Sequence, residues 1–167
     1  MATRLERSLD YPIAARALIS AYLTEEYWHA RVAEVGGEGA RVEELAISDG
    51  GVQVRVVHTI GEDRLPPVVT AIRPGGLEIH RTESWGPLSE SGSTCDFSAK
   101  IDGAPAQLSG TAVLEPVTDD SSRITATGSA EVGIPFVAKK VESLVVENLQ
   151  ELMERERDFT VEWVKAH

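Results

Sequence analysis

The sequence predicts an α+β fold in which a curved antiparallel sheet of about seven strands surrounds one long C-terminal helix. Three observations lead to this prediction. Apolar and polar residues alternate through much of residues 41–132, which is the period of a strand. Gly133-Ile134-Pro135 closes that region, and an amphipathic helical pattern then runs almost to His167. The sequence has no strand–helix alternation and no glycine-rich turn after a strand, so a doubly wound nucleotide-binding fold is not expected.

The first forty residues predict one strand followed by two short helices. Residues 3–9 alternate as a strand. Pro12 suits the first turn of a helix, and the side chain of Asp10 could cap that helix. Thr24 and the two acidic residues after it have the composition of a second helix start. The glycine pair at 36–37 is expected to end this second helix.

Six further strands are predicted between residues 41 and 132, each separated from the next by turn-forming residues. Asp49-Gly50 between two alternating runs is a strong β-hairpin signal. Three prolines make residues 61–76 an irregular connection, with one helical turn expected at 68–72. The predicted strands cover residues 41–48, 52–60, 77–85, 93–101, 106–117 and 123–132.

One face of the predicted sheet is apolar. This face carries Val52, Val54, Val56, Ile60, Leu77, Ile79, Trp85, Cys95, Phe97, Ala99 and Ile101. A sheet with one apolar face needs a covering layer. The C-terminal helix, about 30 residues and roughly 45 Å long, is the element of matching length. We therefore expect it to lie across the sheet.

This order of elements resembles the START-like superfamily, also called the Bet v-like or SRPBCC helix-grip fold, which includes polyketide cyclase-like proteins. The features that carry the resemblance are Tyr11-Pro12, Glu83-Ser84-Trp85 and Gly133-Ile134-Pro135-Phe136-Val137. The resemblance covers essentially the whole chain, is closest to a bacterial branch, and implies a single domain over residues 1–167. It further implies a hydrophobic cavity between the sheet and the last helix, roofed partly by the two short helices. Lipids, polyketides or other apolar small molecules are the ligands that it implies.

The candidate ligand-binding residues include part of the C-terminal helix. Val141, Val145 and Leu152 belong to its apolar stripe. Asn148 lies within about 40° of Leu152 at the helical period, in the middle of that stripe. A buried amide must be hydrogen-bonded. Asn148 is therefore expected either to bond the backbone of a strand or short helix, or to anchor the head group of a ligand.

Polar side chains on the predicted sheet add to this set. Arg81 and Glu83 share a face with Trp85. They either pair with each other or lie near a strand end in water, or they form an ion pair that lines the mouth of the cavity. His58 falls on the apolar face of its strand. It is either a core or rim residue or a general base, which would need a partner and a substrate within reach.

Aromatic residues of the second short helix complete the set. Tyr27 and Trp28 either pack against the sheet or contact a ligand from a lid. Cys95 is the only cysteine, so no intrachain disulfide can form, and we expect a small buried hydrophobe there. The four histidines lack metal-ligand spacing, and the sequence contains no recognised catalytic motif. No metal, cofactor or catalytic residue is therefore predicted.

Charge and hydropathy limit the partners and the compartment. The net charge is −11, with 27 acidic against 16 basic residues, which argues against nucleic-acid binding and against electrostatic docking on anionic lipid. The N-terminus lacks the apolar core of a signal peptide, and no stretch approaches the roughly 20 apolar residues that span a bilayer. We expect a cytoplasmic protein without stable membrane insertion, as a monomer or homodimer.

The predicted function is noncatalytic binding of a hydrophobic or amphipathic small molecule, lipid-like or polyketide-like, in the cavity. A polyketide cyclase/dehydratase-like enzyme is one alternative. In it Asn148, Arg81, Glu83 or His58 would orient a reactive chain by proximity and proton transfer. A ligand-free interaction module is the other alternative, and an exposed apolar patch would favour it.

Overall fold

The computed structural model describes residues 2–65, 67–72, 74–102 and 104–167. The elements confirm the predicted α+β class and the predicted order. They are, in chain order, β1 (Thr3–Tyr11), α1 (Ala15–Tyr22), α2 (Glu25–Val35), β2 (Arg41–Ser48), β3 (Gly51–Ile60), a 3-10 turn (Glu62–Arg64), α3 (Pro67–Ile72), β4 (Leu77–Trp85), β5 (Ser93–Ile101), β6 (Ala106–Thr118), β7 (Ser121–Val132) and α4 (Ala138–Ala166).

The seven strands form one antiparallel sheet in the order β1-β7-β6-β5-β4-β3-β2. The predicted Asp-Gly hairpin connects β2 and β3 at the edge of this sheet. Asp49 and Gly50 there have φ values of 52° and 79°. Positive φ at both central residues is the geometry of a type I′ turn, whose twist matches that of the flanking strands.

The starts of the two short helices differ from the prediction in detail. β1 continues through residue 11, so Asp10 lies in the sheet and pairs with Arg123 at 2.7 Å instead of capping a helix. α1 consequently begins later, at Ala15. Thr24 does precede α2, but its hydroxyl donates to the carbonyl of Ser20 at 2.9 Å and does not cap the helix.

α4 is a helix of 29 residues, which corresponds to about 44 Å. It follows Gly133-Ile134-Pro135 as predicted, but it begins only at Ala138, because residues 135–137 form a turn. Its first half packs mainly on β1 and β7, and its second half contacts α1 and α2. Among the described residues, no helix combines the length and the apolar character needed to cross a membrane.

Two glycines in the central strands shape the concave face of the sheet. Gly110 on β6 pairs with Gly128 on β7. A Cβ atom at Gly110 would lie 2.1 Å from the carbonyl oxygen of Thr127 and 2.8 Å from the tip of the Phe97 ring. Only glycine therefore allows this close approach of the two strands with the Phe97 ring beside them.

The interior is packed differently at its two ends. α1, α2 and the last turns of α4 bury a large core against the sheet, in which the rings of Tyr22, Tyr27, Trp28 and Trp85 lie with centroids 5.2 to 5.4 Å apart. We call this region the aromatic core. The first half of α4 covers two smaller clusters, one around Val146 and one around Val141. Apolar side chains next to these smaller clusters remain only partly buried.

Candidate functional site

Half-buried apolar side chains lie on α4 and on the concave side of the central strands, and we call the region between them the groove. On the strand side, half-buried residues of β4 and β5 line it. On the helix side, the half-buried residues lie one and two turns apart, and two of them, Val145 and Leu149, pack with Phe97 and Ala99 around one small core cluster. The lining residues are Ile79, Phe97, Ala99, Ile101, Val145, Leu149, Leu152 and Met153. Concave-side residues of central strands are ordinarily covered completely, so this partial burial marks apolar surface that remains open.

A network of four charged side chains lies between the groove and the aromatic core. Its members are Arg31 on α2, Arg81 and Glu83 on β4, and Glu156 on α4. Their side chains are only 6% to 11% exposed. The two positive and two negative charges balance, which removes most of the cost of burying any one of them alone.

Glu156 is the centre of this network. Its Oε2 atom accepts hydrogen bonds from Nη1 of Arg81 at 2.8 Å and from Nε of Arg31 at 3.1 Å. Nη2 of Arg31 also donates to Oε2 of Glu83 at 3.0 Å, and the indole Nε1 of Trp85 donates to the other oxygen of Glu83 at 3.1 Å. Three elements distant in sequence are thereby joined by charge-assisted hydrogen bonds, the stronger class of hydrogen bond.

The groups of the network hold one another in their charged forms. Burial on its own would raise the pKa of Glu156, but the guanidinium groups of Arg31 and Arg81 outweigh burial and lower this pKa to about 2. Burial would lower the pKa of Arg31, but the carboxylates of Glu156 and Glu83 raise it well above its usual value. Glu156 and the arginines are therefore ionised throughout the physiological pH range.

A chain of hydroxyl groups supports the network from the side of the aromatic core. The hydroxyl of Thr160 donates to the backbone carbonyl of Glu156 at 2.7 Å. Because that proton is used, the phenol of Tyr27 donates to Thr160 across the 2.6 Å contact between their oxygens. Arg31 Nη1 in turn approaches the Tyr27 oxygen at 3.5 Å. These bonds fix the conformations of Arg31 and Glu156 from the side of the aromatic core.

His58 extends the network onto β3. Its Nε2 atom lies 3.1 Å from Nη1 of Arg81. A guanidinium can only donate, so Nε2 accepts and the ring proton resides on Nδ1, beside Gly36. Burial, together with the positive charge of Arg81, lowers the pKa of His58 to about 4. The imidazole is therefore neutral at physiological pH.

A second cluster of ionisable side chains lies on the convex side of the sheet. Glu78, His80 and Asp102 each place a potential ligand atom within 4.8 Å of the others, next to a polar cleft of about 600 Å³. Glu78 already contacts Arg41 at 3.7 Å and His80 at 3.4 Å. The histidine spacing in the sequence did not predict this cluster.

Comparison with known proteins places the chain in a family. The model of the family described as "Protein of unknown function (DUF2505)" matches residues 6–164. The chain belongs to this family. An uncharacterized protein of Mycobacterium tuberculosis is 32% identical over 170 residues, which cover 98% of each chain.

Solved structures identify the fold. A START superfamily protein from Mycobacterium smegmatis matches with a TM-score of 0.57 and 11% identity over 96% of this chain and 98% of its own. The aromatase/cyclase Zhui from a Streptomyces species matches with a TM-score of 0.55 and 10% identity over 98% of this chain and 92% of its own. The chain therefore has the START-like helix-grip fold, as the sequence resemblance predicted.

Asn148 does not lie where the sequence analysis placed it. It is exposed, and its amide donates to the carbonyl of Leu144 in the same helix at 2.8 Å. The expectation of a buried amide is wrong, because the sheet-facing stripe runs through Leu149, and one residue along a helix turns the side chain by about 100°. Among the other helix candidates, Val141 is buried, whereas Val145 and Leu152 are half-buried.

The aromatic candidates belong to the core. Tyr27 and Trp28 are completely buried, and Trp85 is 4% exposed. The indole of Trp28 donates to the carbonyl of Tyr22 at 2.7 Å, so its polar atom is also used inside the protein. This favours the packing alternative for Tyr27 and Trp28, since contact with a ligand would require α2 to move.

The charged candidates do come together, with partners that the sequence analysis missed. Arg81, Glu83 and His58 meet in the network, but Arg31 and Glu156 were assigned no role there. The available signal was helical spacing: Arg31 lies four residues after Tyr27, and Glu156 lies four residues before Thr160. Each charge thus shares a helix face with a buried residue.

Proposed function

We propose that this protein binds a hydrophobic or amphipathic small molecule in the groove between β4, β5 and α4. The observation that carries the proposal is the incomplete burial of apolar side chains on both walls of the groove, on the inside of the sheet. Exposed apolar area of this kind is favourably covered by a ligand. In this proposal Val145 and Leu152 of the predicted set form the helix wall, with Val141 next to it.

The network gives the groove a polar end, and Arg81 is the member that borders it. Arg81 follows the groove residue Ile79 on β4 and pairs in register with Ala99 on β5. Its side chain is 11% exposed, the highest value in the network. Binding sites that are mostly apolar with a few placed polar groups fix the orientation of a ligand through those groups. We therefore propose that Arg81 binds the polar head group of an amphipathic ligand.

The fold comparisons support the class of ligand but not its identity. One structural neighbour is a START superfamily protein and another is an aromatase/cyclase. The likeness is one of fold, at identities of 10% and 11%. Lipid-like and polyketide-like molecules are accordingly both within the proposed class.

A cyclase-like or dehydratase-like reaction has less support from the same residues. General acid–base catalysis works best with a pKa near the operating pH. The pKa of Glu156 is about 2 and that of His58 is about 4. The pKa values of Arg31 and Arg81 are raised above their usual values. The Glu156 carboxylate and Nε2 of His58, the two candidate bases, are also bonded to the arginines of the network. They are arranged to hold charge in place rather than to transfer protons.

An interaction module without a ligand also has less support. Among the residues whose burial the structure describes, the exposed large apolar ones are Ile47, Val113, Val117 and Phe136. They lie on β2, on β6 and in the turn before α4, so the described part of the surface shows isolated apolar residues rather than one continuous patch.

Native mass spectrometry of the purified protein tests the proposal directly. We expect a bound small molecule that organic extraction releases, or binding from a panel of fatty acids, isoprenoids and polyketide-like aromatics. Protein that carries no extractable molecule and binds no member of the panel would contradict the proposed function.

Filling the groove should weaken binding. Ala99 lies on the strand wall, and Ala99→Trp would occupy the space of a ligand chain, so the dissociation constant of a fluorescent fatty acid should rise at least about tenfold, the effect of losing a few buried methylene groups. Gln107→Trp is the matched control, because Gln107 is exposed on the opposite face of neighbouring β6. Equal binding by both variants would show that the ligand lies elsewhere.

A further inference from the structure

The turn before α4 exposes an aromatic side chain in a strained conformation. Phe136 is fully exposed, and its φ is 71°. Bulky residues other than glycine rarely adopt positive φ, and they do so at a cost in energy. The backbone is therefore held in an unfavourable conformation at the position where a large apolar ring points into water.

The first turn of α4 carries positive charge where a helix favours negative charge. Lys139 and Lys140 are exposed there, and the turn contains no acidic residue. The N-terminal end of a helix is the positive end of its macrodipole, so lysines at this position oppose helix stability. They are two of the four lysines in a chain with a net charge of −11. The placement therefore calls for an explanation outside the helix.

The nearest acidic side chain along the helix is directed away from the surface on which the two lysines lie. Glu142 is completely buried. Its carboxylate accepts hydrogen bonds from the hydroxyl of Thr3 and from the backbone N–H of Val132, both at 2.9 Å. The carboxylate is directed into the interior, which leaves the two lysines beside Phe136 as a small cationic and apolar surface. We call residues 135–140 the docking turn.

The docking turn lies at one end of the groove. Ile134, Val137 and Ala138 pack with Ile101 around the cluster that contains Val141. Ile101 is also the last groove residue of β5. A molecule that enters the groove at this end would therefore pass next to the docking turn.

We propose that the docking turn binds the surface of an anionic lipid bilayer, with Phe136 in the interfacial region and the two lysines on lipid phosphates. Aromatic rings favour the membrane interface, and each lysine near an anionic surface strengthens binding about fivefold. The net charge of −11 predicted no electrostatic docking on anionic lipid. It opposes this local contact only weakly, however, because charges more than about 8 Å from the surface are screened at physiological ionic strength. The inference rests on the proposed function in one respect: docking would present the groove to membrane lipid.

Vesicle co-sedimentation at physiological ionic strength tests the inference. The vesicles are phosphatidylcholine alone, and phosphatidylcholine mixed with phosphatidylglycerol. We expect wild-type protein to sediment with the anionic vesicles and much less with the neutral ones. Phe136→Ser should weaken this binding about tenfold. The double variant Lys139→Glu/Lys140→Glu should weaken it by more than about tenfold.

Two matched controls separate the docking turn from general surface effects. Val117→Ser removes another exposed apolar side chain, and Lys165→Glu reverses a lysine at the far end of α4. Both should sediment like the wild type. Wild-type protein that does not bind anionic vesicles, or controls that lose as much binding as the docking-turn variants, would overturn the inference.

Fatty-acid binding in the absence of vesicles distinguishes this inference from the proposed function. The docking-turn variants should keep the wild-type dissociation constant, because their side chains lie outside the groove. Loss of vesicle binding with retained ligand binding supports both ideas. If the wild-type protein binds the fatty acid but does not bind vesicles, only the inference about the docking turn is overturned. Vesicle binding by a protein without any ligand overturns the proposed function alone.

Discussion

Replacing Glu156 with glutamine is expected to lower the free energy of unfolding by about 3–5 kcal/mol, the usual cost of removing one partner from a buried ion pair. Glu156 makes the shorter contacts with both arginines: its Oε2 lies 2.8 Å from Arg81 Nη1 and 2.7 Å from Arg31 Nη2, whereas Glu83 lies 3.7 Å and 3.0 Å from the same two side chains. Without it, two buried guanidinium groups share the single negative charge of Glu83. A neutral amide keeps the shape of the side chain, so the loss reports charge rather than packing.

Urea unfolding followed by tryptophan fluorescence measures this effect, since Trp28 and Trp85 lie in the aromatic core. Glu151→Gln is the matched control: Glu151 is exposed on the same helix, and substitutions at such sites usually change stability by less than about 0.5 kcal/mol. If the two variants unfold at the same urea concentration, then Glu156 does not neutralise the arginines in the way the structure indicates.

Much of the fold could be predicted because its signals are local. The β4 and β5 boundaries agree with the sequence prediction at both ends, since alternation and turn-forming residues mark each strand independently of the rest of the chain. The start of α1 was less accurate. Asp10 has the chemistry of a helix cap, but pairing of β1 with β7 extends the strand past it, and tertiary pairing outweighs a capping preference of about 1 kcal/mol.

The site could be predicted only in part because its contacts are not local. The sequence predicted Arg81 and Glu83 as candidates because they are charged residues on an apolar strand face, and both are members of the network. Arg31 and Glu156 are 125 residues apart in sequence, and nothing in their local spacing shows that they meet. A helical stripe defined by apolar residues alone also omits a buried glutamate. The predicted stripe therefore included Asn148, which is exposed, and left out Glu156, which is buried on the face of α4 that packs against the sheet.

The network lies between two unlike regions of the interior. On one side, the aromatic core is closed by α1, α2 and the end of α4. On the other side, the groove keeps half-buried apolar walls. A buried set of ion pairs seldom stabilises a protein more than a well-packed apolar core of the same volume would. We infer that its value here lies in the rigid arrangement of charges that it holds between the two regions.

Acid should destabilise the protein, and His58 is expected to account for most of the loss that begins just below neutral pH. Its pKa falls from 6.5 to about 4 in the folded protein. Between these two values the unfolded chain binds more protons than the folded one, so stability rises with pH. The contribution is fully present above the unfolded pKa and is lost as the pH falls toward the folded pKa. At about pH 5 the expected loss from this residue is roughly 2 kcal/mol.

Glu156 acts in the same direction at lower pH. Its pKa falls from 4.5 to about 2 on folding, so its stabilisation is present above pH 4.5 and is lost as the pH drops toward 2. The two residues therefore occupy successive pH windows. Stability lost between about pH 6.5 and pH 4 reports His58, and stability lost between about pH 4.5 and pH 2 reports Glu156. Each residue can therefore be tested mainly in its own pH range.

Urea unfolding at a slightly alkaline pH and at about pH 5 tests the upper window. His58→Gln should flatten the pH dependence there, because the glutamine oxygen can still accept from Arg81 but binds no proton. His80→Gln is the control, since His80 is half-exposed on the convex face, and it should retain the wild-type slope. If both variants keep that slope, then His58 is not the buried neutral imidazole that the geometry requires, and its contact with Arg81 is not maintained in solution.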